Sequence, residues 1–112
     1  MSRDEKLYLL DIIECCKKIS EYSKSITYRD FCNDSRTMDA ILHNLLVIGE
    51  ASKHLSNHFV EKYPSIPWKR IKGLRDIIAH QYFGLDYPLL WDVVKIKIPE
   101  LQSAIQKNYA HN

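Results

Sequence analysis

A chain of 112 residues that is 46% hydrophobic and 27% charged has the make-up of an ordinary globular chain, which excludes a disordered tail and a membrane-embedded protein. Three Gly and four Pro, every Pro lying after Tyr63, leave the first half without the breaks that a set of short strands needs. The net charge of +2 is too small to argue by itself for a nucleic-acid partner, so any electrostatic case must rest on local clustering.

Taken in chain order, Tyr8, Ile12, Cys15, Ile19, Tyr22 and Ile26 recur at alternating steps of four and three and predict a first long helix from about Arg3 to Ser25. Thr27-Tyr28-Arg29-Asp30 has the pattern of a capping box and predicts a short second helix that carries Phe31 into the core. Ser35 or Thr37 is then expected to cap a second long helix running to about Val60. Its buried face is Met38, Leu42, Leu45, Gly49, Ser52 and Phe59, joined by Ile41, Ile48 and Leu55. Tyr63-Pro64-Ser65-Ile66-Pro67 breaks that helix. Pro67 suits the first position of a third long helix ending near Phe83-Gly84, because its missing N–H would have no partner there. Asp86 is expected to cap a last helix with the stripe Tyr87, Leu90 or Trp91, Val94, Ile98, Leu101 and Ile105, kinked at Pro99. No repeat or linker interrupts this order, so residues 1–112 are expected to form one domain. The expected fold is all-α, an antiparallel up-and-down bundle of four long helices plus one short helix. Neither an apolar leader nor a spanning run is visible, since the stretch Leu45 to Gly49 is far below the roughly 20 residues a bilayer requires; a cytoplasmic location is expected.

Cys15, Cys16 and Cys32 are odd in number and form no C-x-x-C pair, so they are expected to be free thiols rather than a disulfide framework or zinc ligands. His43, His54, His58 and His111 show no ligand-like grouping, and no metal or cofactor is called for. The chemistry gathers instead on the helix that starts at Pro67, in the basic run Trp68-Lys69-Arg70-Ile71-Lys72-Gly73-Leu74-Arg75. At 100° per residue Ile71, Leu74 and Ile78 face the core, while Lys69, Lys72, Asp76 and His80 share the far side and Arg75 stands at the border. Such a strip could be nothing more than the solvated face of an amphipathic helix. Asp76 and His80 are four apart, so the carboxylate can accept a ring N–H and fix the imidazole's tautomer.

Read as a motif, Arg75, His80 and Tyr82 resemble the R-x4-H-x-Y signature of the HepT-like toxins in the HEPN superfamily. The resemblance extends to Arg3-Asp4 before Tyr8-Leu9, to Ile48-Gly49-Glu50-Ala51, to Tyr63-Pro64-Ser65-Ile66-Pro67-Trp68, and to Trp91 with Pro99-Glu100-Leu101. It implies a dimeric, metal-independent endoribonuclease in which Arg75 and His80 of two chains meet in a cleft and catalyse attack of a ribose 2′-hydroxyl on phosphorus. Lys69, Arg70 and Lys72 would then bind the RNA backbone. The resemblance further implies a type II toxin–antitoxin pair, whose MNT-type nucleotidyltransferase antitoxin adenylylates Tyr82. One position departs from the pattern: Asp76 stands where many relatives carry Asn. Its charge can orient His80 and raise its pKa, and it favours the rival reading, a non-catalytic helical dimer that binds a nucleotidyltransferase or a nucleotide. A helical dimer with a purely structural role is the third reading.

Overall fold

Where each helix starts and stops follows from which polar side chain captures the first free N–H groups and which residue cannot extend the last turn. The computed structural model describes residues 4–80, 84 and 86–110, with backbone alone at 77, 79, 80 and 108–110. Among these residues every element is helical: α1 (Glu5–Ser23), α2 (Tyr28–Asn33), α3 (Ser35–Lys53), α4 (Asn57–Val60), α5 (Trp68–Lys72), α6 (Leu74–His80), α7 (Tyr87–Asp92), a π-helical turn (Val93–Lys97) and α8 (Ile98–Ala110).

Four helical legs make the bundle: α1, α3, the pair α5 and α6, and the run from α7 to α8. The legs alternate in direction. The ring of Tyr8 at the start of α1 stacks on His54 just past the end of α3, centroids 4.5 Å apart, and Glu5 accepts a hydrogen bond from the Ser56 N–H. At the other end, Lys95 donates to the Ser23 carbonyl at 3.0 Å, which ties the last leg's beginning to the end of α1. α1 packs against both α3 and α8, and α3 in turn packs against α5 and α6.

This central place of α1 changes its expected face. Ile12, Cys15 and Ile19 are buried as the periodicity predicts, but Leu9, Ile13, Cys16 and Ser23 join them, whereas Tyr22 is 40% exposed. A helix with neighbours on two sides needs a wider buried arc than a single stripe supplies. The capping box of α2 forms as expected, with both Thr27–Asp30 bonds at 3.1 Å, and Phe31 is fully buried beside Trp91.

The cap of α3 is Asp34, not Ser35 or Thr37. Its carboxylate accepts both the N–H and the hydroxyl of Thr37, at 3.2 and 2.7 Å, while Ser35 and Thr37 lie inside the helix. Nor does α3 run on to Val60. It ends at Lys53, where the N–H groups of His54 and Leu55 turn back to Ala51 and Ser52, and Ser56 caps the separate α4 by accepting the Phe59 N–H at 3.1 Å. A serine mid-helix competes with the backbone for its own hydrogen bonds, and here the competition starts a new helix.

The third leg is also divided. Pro67 stands just ahead of the first helical residue rather than within the helix, and Gly73 separates α5 from α6, its N–H bonding to the Lys69 carbonyl. The expected end of this leg near Phe83 lies outside the described residues. In the last leg Asp86 caps α7 as predicted, accepting the Leu89 N–H at 3.0 Å, although Tyr87 is 38% exposed and does not join the core stripe. The break expected at Pro99 takes the form of a π turn. Pro99 has no N–H and its ring crowds the carbonyl four residues back, so the chain widens beforehand and the Ile98 N–H reaches the Val93 carbonyl. Among the described residues no helix is long and apolar enough to cross a membrane.

Candidate functional site

The leg formed by α5 and α6 presents two different faces. Trp68, Ile71 and Ile78 are buried against the bundle and Leu74 is partly so. Lys69, Arg70, Arg75 and Asp76 are exposed and Lys72 is half-buried. For the described side chains the arc follows the 100° spacing despite the interruption at Gly73, while the side chain of His80 lies outside the described residues. The loop ahead of it is pinned, since the Trp68 indole N–H donates to the carbonyl of the buried Tyr63 at 3.2 Å.

Arg75 is set by α3. A methyl group added to Gly49 would lie 3.2 Å from the Arg75 backbone nitrogen and 3.4 Å from the Ile71 carbonyl oxygen, so the two helices meet almost backbone to backbone at this crossing. One residue further along α3, Glu50 reaches across, and its carboxylate oxygen lies 3.0 Å from Nε of Arg75. The same oxygen is 3.7 Å from the Lys53 ammonium one turn on. With the side chains of Arg75 and Glu50 54% and 48% exposed, a pair of this kind contributes about 0–1 kcal/mol to stability, and its consequence is orientation rather than cohesion. Sequence reasoning missed Glu50 as a partner of Arg75. The available signal was a helix-interior glycine, Gly49, on a predicted core face, which marks a close approach of another backbone.

His80 closes α6, and the six residues from Arg75 to His80 form one uninterrupted helical stretch. On a regular helix that spacing separates the two directions by about 140° and the two Cα atoms by a rise of about 7.5 Å. The expected Asp76–His80 contact and the position of Tyr82 lie outside the described residues. On the flank of α5 and α6 away from Arg75, an apolar groove of about 710 Å³ opens between this leg and the last one, lined by Ile71, Leu74 and Ile78 on one side and Leu89, Val93 and Leu101 on the other. Lys69 and Arg70 stand at its margin. An exposed strip of this kind can hold a phosphate chain by charge, and the Arg75 guanidinium can bind two phosphate oxygens at once.

The remaining candidates are quiet. Cys15, Cys16 and Cys32 are all free thiols. Burial pushes the Cys16 thiol up to about 12 and raises that of Cys15, so neither is a ready thiolate. His43, His54 and His58 are exposed and His111 lies outside the described residues. Among the described residues no three His, Cys, Asp or Glu side chains gather as metal ligands would.

The bundle thus exposes an arginine on a basic leg, five positions before a histidine on the same helix. The chain belongs to the ribonuclease HepT-like family, whose model matches residues 12–108. It is similar to the protein of Methanocaldococcus jannaschii named "Putative RNase MJ1380", 42% identical over 93% of this chain and 95% of that one. A protein of Thermococcus cleftensis named "Probable ribonuclease HepT" is 41% identical over 96% of this chain and 97% of its own length. No solved structure matches the chain.

Proposed function

We propose that this chain is the toxin of a type II toxin–antitoxin pair and acts as a metal-independent endoribonuclease, cutting RNA by transesterification in a cleft between two copies. The observation that carries the reading is Arg75: an exposed guanidinium on a basic helical leg, five residues before His80 on one helix, in a chain of the HepT-like ribonuclease family. One imidazole takes the proton of a ribose 2′-hydroxyl, and the freed oxygen attacks the adjacent phosphorus. The bond to the 5′-oxygen breaks, and a second, protonated imidazole gives that oxygen a proton. The products are a 2′,3′-cyclic phosphate and a 5′-hydroxyl, and the two imidazoles have exchanged protonation states.

A single chain brings one such histidine, whereas a pair brings both roles, and imidazoles with an ordinary pKa of about 6.5 exist in both forms near neutral pH. Arg75 holds the phosphate and the charge that builds on it during attack, a task for a planar fork rather than a lysine. Lys69, Arg70 and Lys72, doubled in a pair, give salt-dependent grip on the backbone without reading bases. Asp76 orients His80. Control comes from an MNT-type nucleotidyltransferase partner that transfers AMP to Tyr82, placing a phosphodiester where Arg75 and the lysines would otherwise meet RNA.

Asp76 and Glu50 both set negative charge near Arg75, which favours as second reading a non-catalytic dimer that binds a nucleotidyltransferase or a nucleotide. Cleavage of a generic RNA with and without EDTA, on protein whose mass is measured by light scattering, separates the two. The endonuclease reading expects a dimer of the 13.2 kDa chain and cleavage that EDTA leaves intact; a cleaving monomer, cleavage lost to EDTA, or a dimer that never cleaves would each count against it.

A further inference from the structure

Glu50 is the side chain that meets the Arg75 guanidinium. It lies 25 positions earlier in the chain, on another helix, and the Gly49 crossing delivers it. With no Cβ at position 49 the α3 and α6 backbones can approach until a Gly49 Cβ would sit 3.2 Å from the Arg75 nitrogen. Position 50 is then one step of about 100° around α3 from the line of contact, which carries its carboxylate alongside the outgoing Arg75 side chain. The contact is to Nε, at 3.0 Å, the guanidinium nitrogen nearest the backbone. A guanidinium has five N–H donors, one on Nε and four on the terminal nitrogens, so an anchor at Nε fixes the plane of the fork and leaves its outer edge to address an anion.

An exposed arginine would otherwise spread over many rotamers and lose that freedom on meeting the phosphate. Lys53, 3.7 Å from the same oxygen, offsets part of the negative charge that this anchor brings to an anion-binding face. We propose that Glu50 is a positioning residue for RNA cleavage, holding Arg75 through Nε so that its terminal amino groups meet the phosphate under attack. The proposal rests on the reading of Arg75 as the phosphate-binding residue.

A carboxylate that only orients, and that repels the substrate's own charge, has a kinetic signature that a merely structural residue lacks. Glu50→Ala is expected to lower kcat for a short RNA on the order of tenfold while KM stays the same or falls, because orientation is lost and a repelling charge is removed. Glu50→Gln keeps an acceptor of the same reach and is expected to recover part of the loss; Glu50→Asp, one methylene short, is not. The exposed setting predicts melting curves close to that of the unsubstituted protein for all three, and if Glu50→Ala fails to fold, the Gln variant carries the test. An unchanged or raised kcat in Glu50→Ala, or a rise in KM as large as the fall in kcat, overturns the proposal. Arg75→Ala is measured alongside: if it still cleaves at the original rate the reading of Arg75 fails, whereas if it is inactive and Glu50→Ala is not impaired, the positioning role alone fails.

Discussion

The two flanks of the α5 and α6 leg are built in opposite ways. Toward α3 the helices touch at Gly49, where even one methyl would press on the Arg75 backbone. Toward α7 and α8 apolar side chains face each other across a groove of about 710 Å³. The charged strip is thus registered on α3 by a backbone contact that fixes where Arg75 leaves the helix. Among the described elements the leg packs chiefly on α3, which sets its position.

That contrast can be broken at chosen residues. The largest effect is expected from Ile48→Ala, since Ile48 is completely buried on α3 beside the crossing: about 2–5 kcal/mol of lost stability, read as a lower urea midpoint at unchanged m. Gly49→Val comes next. Its branched side chain must force the α3 and α6 backbones apart, at about 1–3 kcal/mol, and cleavage should fall further than the stability loss explains because Arg75 moves with its helix. Leu89→Ala on the groove flank removes a side chain that is 45% exposed and should shift stability by no more than about 0.5 kcal/mol. If Leu89→Ala matched Ile48→Ala, the flanks would not differ as described.

The smallest expected effect is on acid sensitivity, far from both flanks. The Thr37 hydroxyl and then its N–H hold the Asp34 carboxyl below its ordinary value of 3.8. A depressed carboxyl stabilises the fold above its unfolded-state pKa, and that contribution disappears as pH falls through the folded value. Between about pH 5 and about pH 3, Asp34→Ser, a neutral cap, should therefore lose less stability than the unsubstituted chain, although it starts slightly lower. Parallel losses for the two proteins would remove the capping role.

Much of this was legible in the residues themselves, and the exceptions share a cause. The Thr27–Asp30 box, the Asp86 cap, buried Phe31 and the outward Lys69 and Asp76 with Arg75 at their border all depend on neighbours within a turn or two, which a local pattern encodes. Asp34 won over Ser35 and Thr37 because three residues within four positions can each cap, and only the entry geometry of the chain selects one. Ser56 and Gly73 broke helices that periodicity ran together, since apolar spacing can continue in phase across a break of one to three residues. The Glu50–Arg75 pair, joining residues 25 positions apart, depends on how closely two helices cross, and nothing in either local stretch states that distance.

If Arg75 and His80 cleave RNA with acid–base chemistry, the ends of the products left by the unsubstituted protein, Arg75→Ala and His80→Ala will report it. The unsubstituted chain is expected to leave 2′,3′-cyclic phosphate and 5′-hydroxyl ends. Each variant is expected to lose about 10²-fold or more, with helical content unchanged because Arg75 lies off the core-facing arc and His80 is expected to. Products with 3′-hydroxyl and 5′-phosphate ends, or His80→Ala protein that cleaves at the original rate, would contradict it.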